Sequence, residues 1–198
     1  MKSILHFAVS ASLLVVSSAP ARAELATEKK TLVVEAPATT SSYSKDRPDY
    51  LHFKEVVVTR EGAQRLKFEI TLRGNLPANP KENVSFYIGF DIDSDPLTGG
   101  ATADKLAFGQ DIGVFIFQNS TDSRFRTESN GVEFKGRRRE ITISGLKVKD
   151  DKIVVELRSE LFSAFETFKF FVSASQARFE DGKRINSIQV HTTPVSTF

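Results

Sequence analysis

Apolar side chains return at every second position in one stretch of this chain after another. Leu66, Phe68, Ile70 and Leu72 alternate with Lys67, Glu69, Thr71 and Arg73. Val84, Phe86, Ile88, Phe90 and Ile92 form a second row, and Ile112, Val114 and Ile116 a third. Ile141 with Ile143, then Ile153, Val155 and Leu157, then Phe168, Phe170 and Val172 continue the pattern, and Ile185, Ile188 and Val190 extend it less regularly. A strand sends successive side chains to opposite faces, so this period makes half-buried strands, whereas a helix needs apolar residues three and four apart. Turn formers separate the runs at Glu61-Gly62, Asn75-Leu76-Pro77, Asn130-Gly131, Asp150-Asp151 and Asp181-Gly182. Asn-Gly between alternating runs predicts a two-residue hairpin. The expected fold is all-β: a single antiparallel β-sandwich, jelly-roll or immunoglobulin-like, of about eight or nine strands, with no helix beyond a turn or two at 159–165.

The ends of the chain read differently. Residues 1–23 have the form of a secretory signal: Lys2, an apolar stretch over 4–16, then Ala21-Arg22-Ala23 as a small-x-small cleavage site. Residues 24–48 read as a flexible leader or linker, with Thr31-Leu32-Val33-Val34 as a short strand within it. The β-sandwich domain is expected over 49–198. Lys2 and Arg22 leave with the signal and no acid does, so the 27 basic and 25 acidic residues of the whole chain become equal in the mature one. A neutral mature chain argues against nucleic acid as a partner. No segment beyond the signal is apolar enough to span a membrane. The expected location is secreted or periplasmic. There is no cysteine, so neither disulfides nor a lipoprotein anchor is available. There is no tryptophan either, and 17 phenylalanines carry the aromatic load, which suits a core without polar handles.

One segment breaks the alternation with charge. Asp91-Ile92-Asp93-Ser94-Asp95-Pro96-Leu97-Thr98-Gly99-Gly100 ends an apolar strand with three carboxylates at alternate positions. Such groups repel one another unless a hard cation, which takes 6–8 oxygens in the case of Ca²⁺, reverses the sign. Pro96 stands where an EF-hand needs glycine, and Thr102 where it needs glutamate, so this is not an EF-hand. Asp91, Asp93 and Asp95 are the candidate ligands of a structural calcium ion, with Asp111 closing the site from the next strand and Asp104 a weaker fifth candidate. The alternative is that Asp, Ser, Pro and Gly simply make a good turn.

The order of these features resembles a known group. Val56-Val57-Val58, the Gly62 turn, the 66–72 alternation, Gly74, Leu76-Pro77, Phe86-Tyr87-Ile88, the Asp loop and Gly109-Gln110-Asp111-Ile112 follow one another, and then come the 146–157 pair, a Ser-Glu-Leu-Phe turn, Phe168 to Ser173, and Pro194. This is similar to the secreted β-sandwich domains related to DOMON and to the family-nine carbohydrate-binding modules, over residues 49–194. The acidic residue expected shortly before the terminal proline is replaced by His191-Thr192-Thr193-Pro194. The resemblance implies a binding module rather than an enzyme. Haem-binding relatives use Met and His as axial ligands, and the mature chain has no Met.

The remaining candidates are sparse. His52 and His191 are the two histidines after the signal. A shared site needs both in one pocket, and surface or edge positions are the simpler expectation. Sugar platforms are usually built from Trp and Tyr. Here Tyr87 faces opposite to Phe86 and Ile88 beside Phe115 and Phe117, and this trio is the candidate ligand-binding platform unless a second layer buries it. The run Lys135-Gly136-Arg137-Arg138-Arg139-Glu140 reads as a solvated turn or as a patch for acidic polymers. No Gly-x-Ser-x-Gly elbow, cysteine nucleophile or zinc spacing is present. Asn83-Val84-Ser85 and Asn119-Ser120-Thr121 match the glycosylation sequon. The expected function is an exported non-catalytic binding module for glycan or protein. The alternative is a structural or assembly protein of the cell envelope acting through its sheet edges.

Overall fold

In a computed structural model, residues 29–33, 47–95, 100–101, 109–122, 124–134, 137–165, 167–180 and 183–198 are described. The signal at 1–23, most of the leader, Pro96 to Gly99 of the Asp loop, Thr102, Asp104, and the turns at 135–136 and 181–182 lie outside the described residues. In chain order the strands are β1 (Lys29–Val33), β2 (Phe53–Arg60), β3 (Arg65–Leu72), β4 (Asn83–Asp91), β5 (Gly100–Ala101), β6 (Gly109–Gln110), β7 (Ile112–Gln118), β8 (Phe125–Ser129), β9 (Val132–Phe134), β10 (Arg137–Arg139), β11 (Thr142–Lys149), β12 (Lys152–Arg158), β13 (Lys169–Glu180), β14 (Lys183–Thr192) and β15 (Ser196–Thr197). One helical turn, α1 (Leu161–Ala164), falls where the sequence placed it.

Two antiparallel sheets build the sandwich. One has five strands in the order β1-β2-β3-β12-β11; the other has six, β14-β13-β4-β7-β8 with β15 beside β13. The strand expected near Thr31 is β1, paired along β2 from Lys29↔Thr59 to Val33↔Glu55. The strand total exceeds eight or nine because short pairs such as β5-β6 and β9-β10 are too brief to show a period. Inward rows follow the alternation: Leu66, Phe68, Ile70 and Leu72 of β3 are all at most 1% exposed, as are Val84, Phe86, Ile88 and Phe90 of β4. Phe68 meets Phe90 and Phe170 edge-on at 5.8 and 5.5 Å, which joins the two sheets. Each such ring contributes on the order of 1.5–3 kcal/mol by leaving water.

Two sequence expectations give way. Asn130-Gly131 does not join paired strands: β8 pairs with β7, and β9 with β10. The Asn130 N–H instead extends the β7 ladder by donating to the Gly113 carbonyl at 3.0 Å. Ile185 was expected in an inward row but is 55% exposed, on a hairpin whose register shifts at Arg178/Phe179.

Candidate functional site

Strand β4 carries chemistry at its C-terminal end. Its outward residues are Ser85, Tyr87, Gly89 and Asp91, facing away from the core row. On β7, Phe117, Phe115 and Gly113 stand opposite Ser85, Tyr87 and Gly89. Asp111 precedes β7, and its N–H donates to the Phe90 carbonyl at 2.9 Å. The register therefore sets Asp111 across from Asp91.

Asp91, Asp93 and Asp111 each bring a carboxylate oxygen within 4.8 Å of the others. The loop is held by its own backbone. The Ile92 N–H donates to Asp111 Oδ2 at 2.8 Å, the Asp95 N–H donates to Asp93 Oδ1 at 3.0 Å, and Ser94 takes a left-handed φ of 58°. Asp95 is exposed and is not one of the three clustered carboxylates. Asp91 is 0% exposed, and neither of its carboxylate oxygens has a hydrogen-bond partner among the described residues. Lys169, opposite it on β13, approaches Oδ2 only to 3.6 Å, an ion-pair distance beyond a hydrogen bond. Burial pushes the Asp91 carboxyl above the ordinary carboxylate range; Lys169 opposes this and Asp93 adds to it. Burial likewise raises Asp111, against the hydrogen bond from Ile92. All-oxygen donors, one of them buried and unsatisfied, are the set a hard divalent cation takes. The three carboxylates can hold a metal ion.

The aromatic trio sits on the same face. The Tyr87 ring packs on Phe115 at a centroid distance of 4.4 Å and on Phe171 at 5.8 Å. Two glycines make room for these rings: a Cβ on Gly113 would stand 2.0 Å from Tyr87 Oη, and one on Gly89 would stand 2.4 Å from Phe171 Cε1. Tyr87, Phe115 and Phe117 are half-buried, neither fully covered by a second layer nor open. The Tyr87 hydroxyl is itself buried without a partner among the described residues, and burial pushes its pKa up to about 12.

The sequence left a shared histidine pocket open but favoured surface or edge positions, and the structure brings the two rings together. His52 and His191 are not on the surface. They are 2% and 0% exposed with ring centroids 5.7 Å apart, and the Phe53 N–H donates to His191 Nδ1 at 2.9 Å. Burial, then His52 and Arg73, hold the His191 imidazole down to about 4. Tyr50, which the sequence reading gave no role, lines a cleft of about 470 Å³. The sequon asparagines also meet: Asn83 Nδ2 donates to Asn119 Oδ1 at 3.3 Å, and the Ser120 N–H donates to Asn83 Oδ1 at 2.8 Å.

No protein-family model, curated protein or solved structure matches this chain. No helix among the described residues is long and apolar enough to cross a membrane.

Proposed function

We propose that the protein is an exported, non-catalytic β-sandwich binding module related to the DOMON and family-nine carbohydrate-binding domains, braced by calcium at Asp91, Asp93 and Asp111, with a glycan or a protein as its ligand. The observation that carries this reading is the shared face. Tyr87, Gly89 and Asp91 alternate along one side of β4, with Phe115, Gly113 and Asp111 beside them. Half-buried aromatics on a rigid sheet supply contact area at little entropic cost. A cation at the strand ends would fix the loop that borders them. The test is binding of the mature protein to a glycan array and to its own envelope extract, with Phe117→Ser and Phe115→Ser alongside. Wild type should retain a ligand that both variants lose while melting normally. If both variants bind as wild type does, the trio is not the platform.

A second reading, an assembly protein of the cell envelope acting through its edges, has one observation in its favour. Strand β14 is an edge of its sheet, and Ile185 and Phe179 on the β13-β14 hairpin are 55% and 45% exposed. Sedimentation of wild type against Ile185→Lys separates the readings. An oligomer or envelope complex dissolved by that change favours the edge, and identical profiles count against it.

A further inference from the structure

We infer that Lys169 is a tethered counter-cation of the Asp loop: its ammonium does part of a divalent ion's work there and gives way when that ion binds. The inference rests on the calcium reading proposed above and adds what sets the affinity of that site. Lys169 opens β13, and its backbone is held on both sides, opposite Asp91 of β4 and Thr197 of β15. Its Nζ stands 3.6 Å from Asp91 Oδ2 and donates to the Ser94 carbonyl at 3.4 Å. One charged group thus ties the end of β4 to the loop that follows it. A carboxylate and a backbone carbonyl are also the oxygens with which protein loops wrap calcium.

The same geometry sets the two cations in competition. Calcium lies about 2.3–2.6 Å from its oxygens, so an ion on Asp91 Oδ2 stands no more than about 6 Å from the ammonium as it now lies. Like charges that close repel strongly near a protein surface. Asp91 is 0% exposed and has no route away from the site. The Lys169 side chain is 30% exposed, and its flexible stem can carry the head into water, where an ammonium is strongly hydrated. Its two contacts in the site are long, so little is lost when they break. Lysine therefore holds the loop to the strand when calcium is scarce, and lowers the affinity when calcium is plentiful. Such a site responds to a changing calcium level instead of staying filled.

The test is calorimetric titration of calcium into the full mature chain after chelation, for wild type, Lys169→Met, Lys169→Gln and Lys169→Arg. The expected result is calcium binding about tenfold tighter or more in Lys169→Met and Lys169→Gln, with Lys169→Arg close to wild type. In chelator, Lys169→Met should melt below wild type, and saturating calcium should close that gap. Lys169→Gln removes the same charge with a polar side chain, so it reports even if Lys169→Met folds poorly. Unchanged or weaker binding in both neutral variants overturns the tethered cation and leaves the calcium site standing. Equal tightening in Lys169→Arg overturns it too, since the charge is then not the cause. Calcium binding by none of the four proteins overturns the calcium reading itself.

Discussion

Asp91→Asn should act in opposite directions with and without calcium. The three carboxylates approach within 4.8 Å of one another. At an effective dielectric near 20, each such pair repels by about 3 kcal/mol. Asp91 faces two of these repulsions and one attraction, to Lys169 at 3.6 Å, and it does so while fully buried. The upward direction of its pKa says that burial and repulsion outweigh the lysine. Removing the charge should therefore leave the metal-free protein as stable as wild type or more so. In calcium the order reverses. A site with a dissociation constant near ~0.1 mM in ~1 mM calcium gains about 1.4 kcal/mol by mass action, or roughly 3–6 °C in Tm for a domain of this size. Wild type should show that shift between chelator and calcium, and Asp91→Asn should not. Differential scanning calorimetry of both proteins in both buffers gives the four values needed. A variant that melts lower than wild type in chelator, yet keeps the calcium shift, would refute both the repulsion and the ligand assignment.

Two further changes probe the packing around the sites. His191 is held near 4 when folded against about 6.5 when unfolded, so its contribution is complete above pH 6.5 and is lost as pH falls toward 4. Between pH 7.5 and 4.5 that loss amounts to about 2–3 kcal/mol in urea unfolding, and His191→Asn should remove this part of the pH dependence; an unchanged slope would contradict it. Gly113→Ala places a methyl 2.0 Å from Tyr87 Oη, so it should cost about 1–3 kcal/mol, and Tyr87→Leu should recover most of that in a double-mutant melt.

What the sequence made legible follows from how far apart the interacting residues stand. The 66–72 and 84–92 alternations state their inward faces locally, and both are buried as read. Asp91 and Asp93 are neighbours, and Asp111 lies only 19 residues from the Ile92 N–H that it caps, across a single loop. His191 reaches the Phe53 N–H over 138 positions, and Arg47 reaches Gln176 over 129. Nothing in the local pattern marks either pair, because each depends on two sheets closing. Asn130-Gly131 misled for the opposite reason: the local signal was strong, but β8 pairs with β7 and β9 with β10.

The same geometry explains why one strand organises so much of the molecule. β4 lies between β13 and β7, so its inward row of Phe86, Ile88 and Phe90 fixes its position against both sheets. A strand held that firmly has little freedom to adjust its outward row. Gly89 and Gly113 must then be small because the rings above them have nowhere else to go, and Asp91 stays buried although its charge opposes burial. The core thus sets the conditions under which a cation would be useful: it holds three carboxylates together that would separate if the strand could move. Loosening the core with Phe90→Ala should therefore weaken calcium binding as well as stability, and calcium titration of that variant below its melting temperature separates the two effects. Unchanged affinity would mean that the loop, not the strand, positions Asp91.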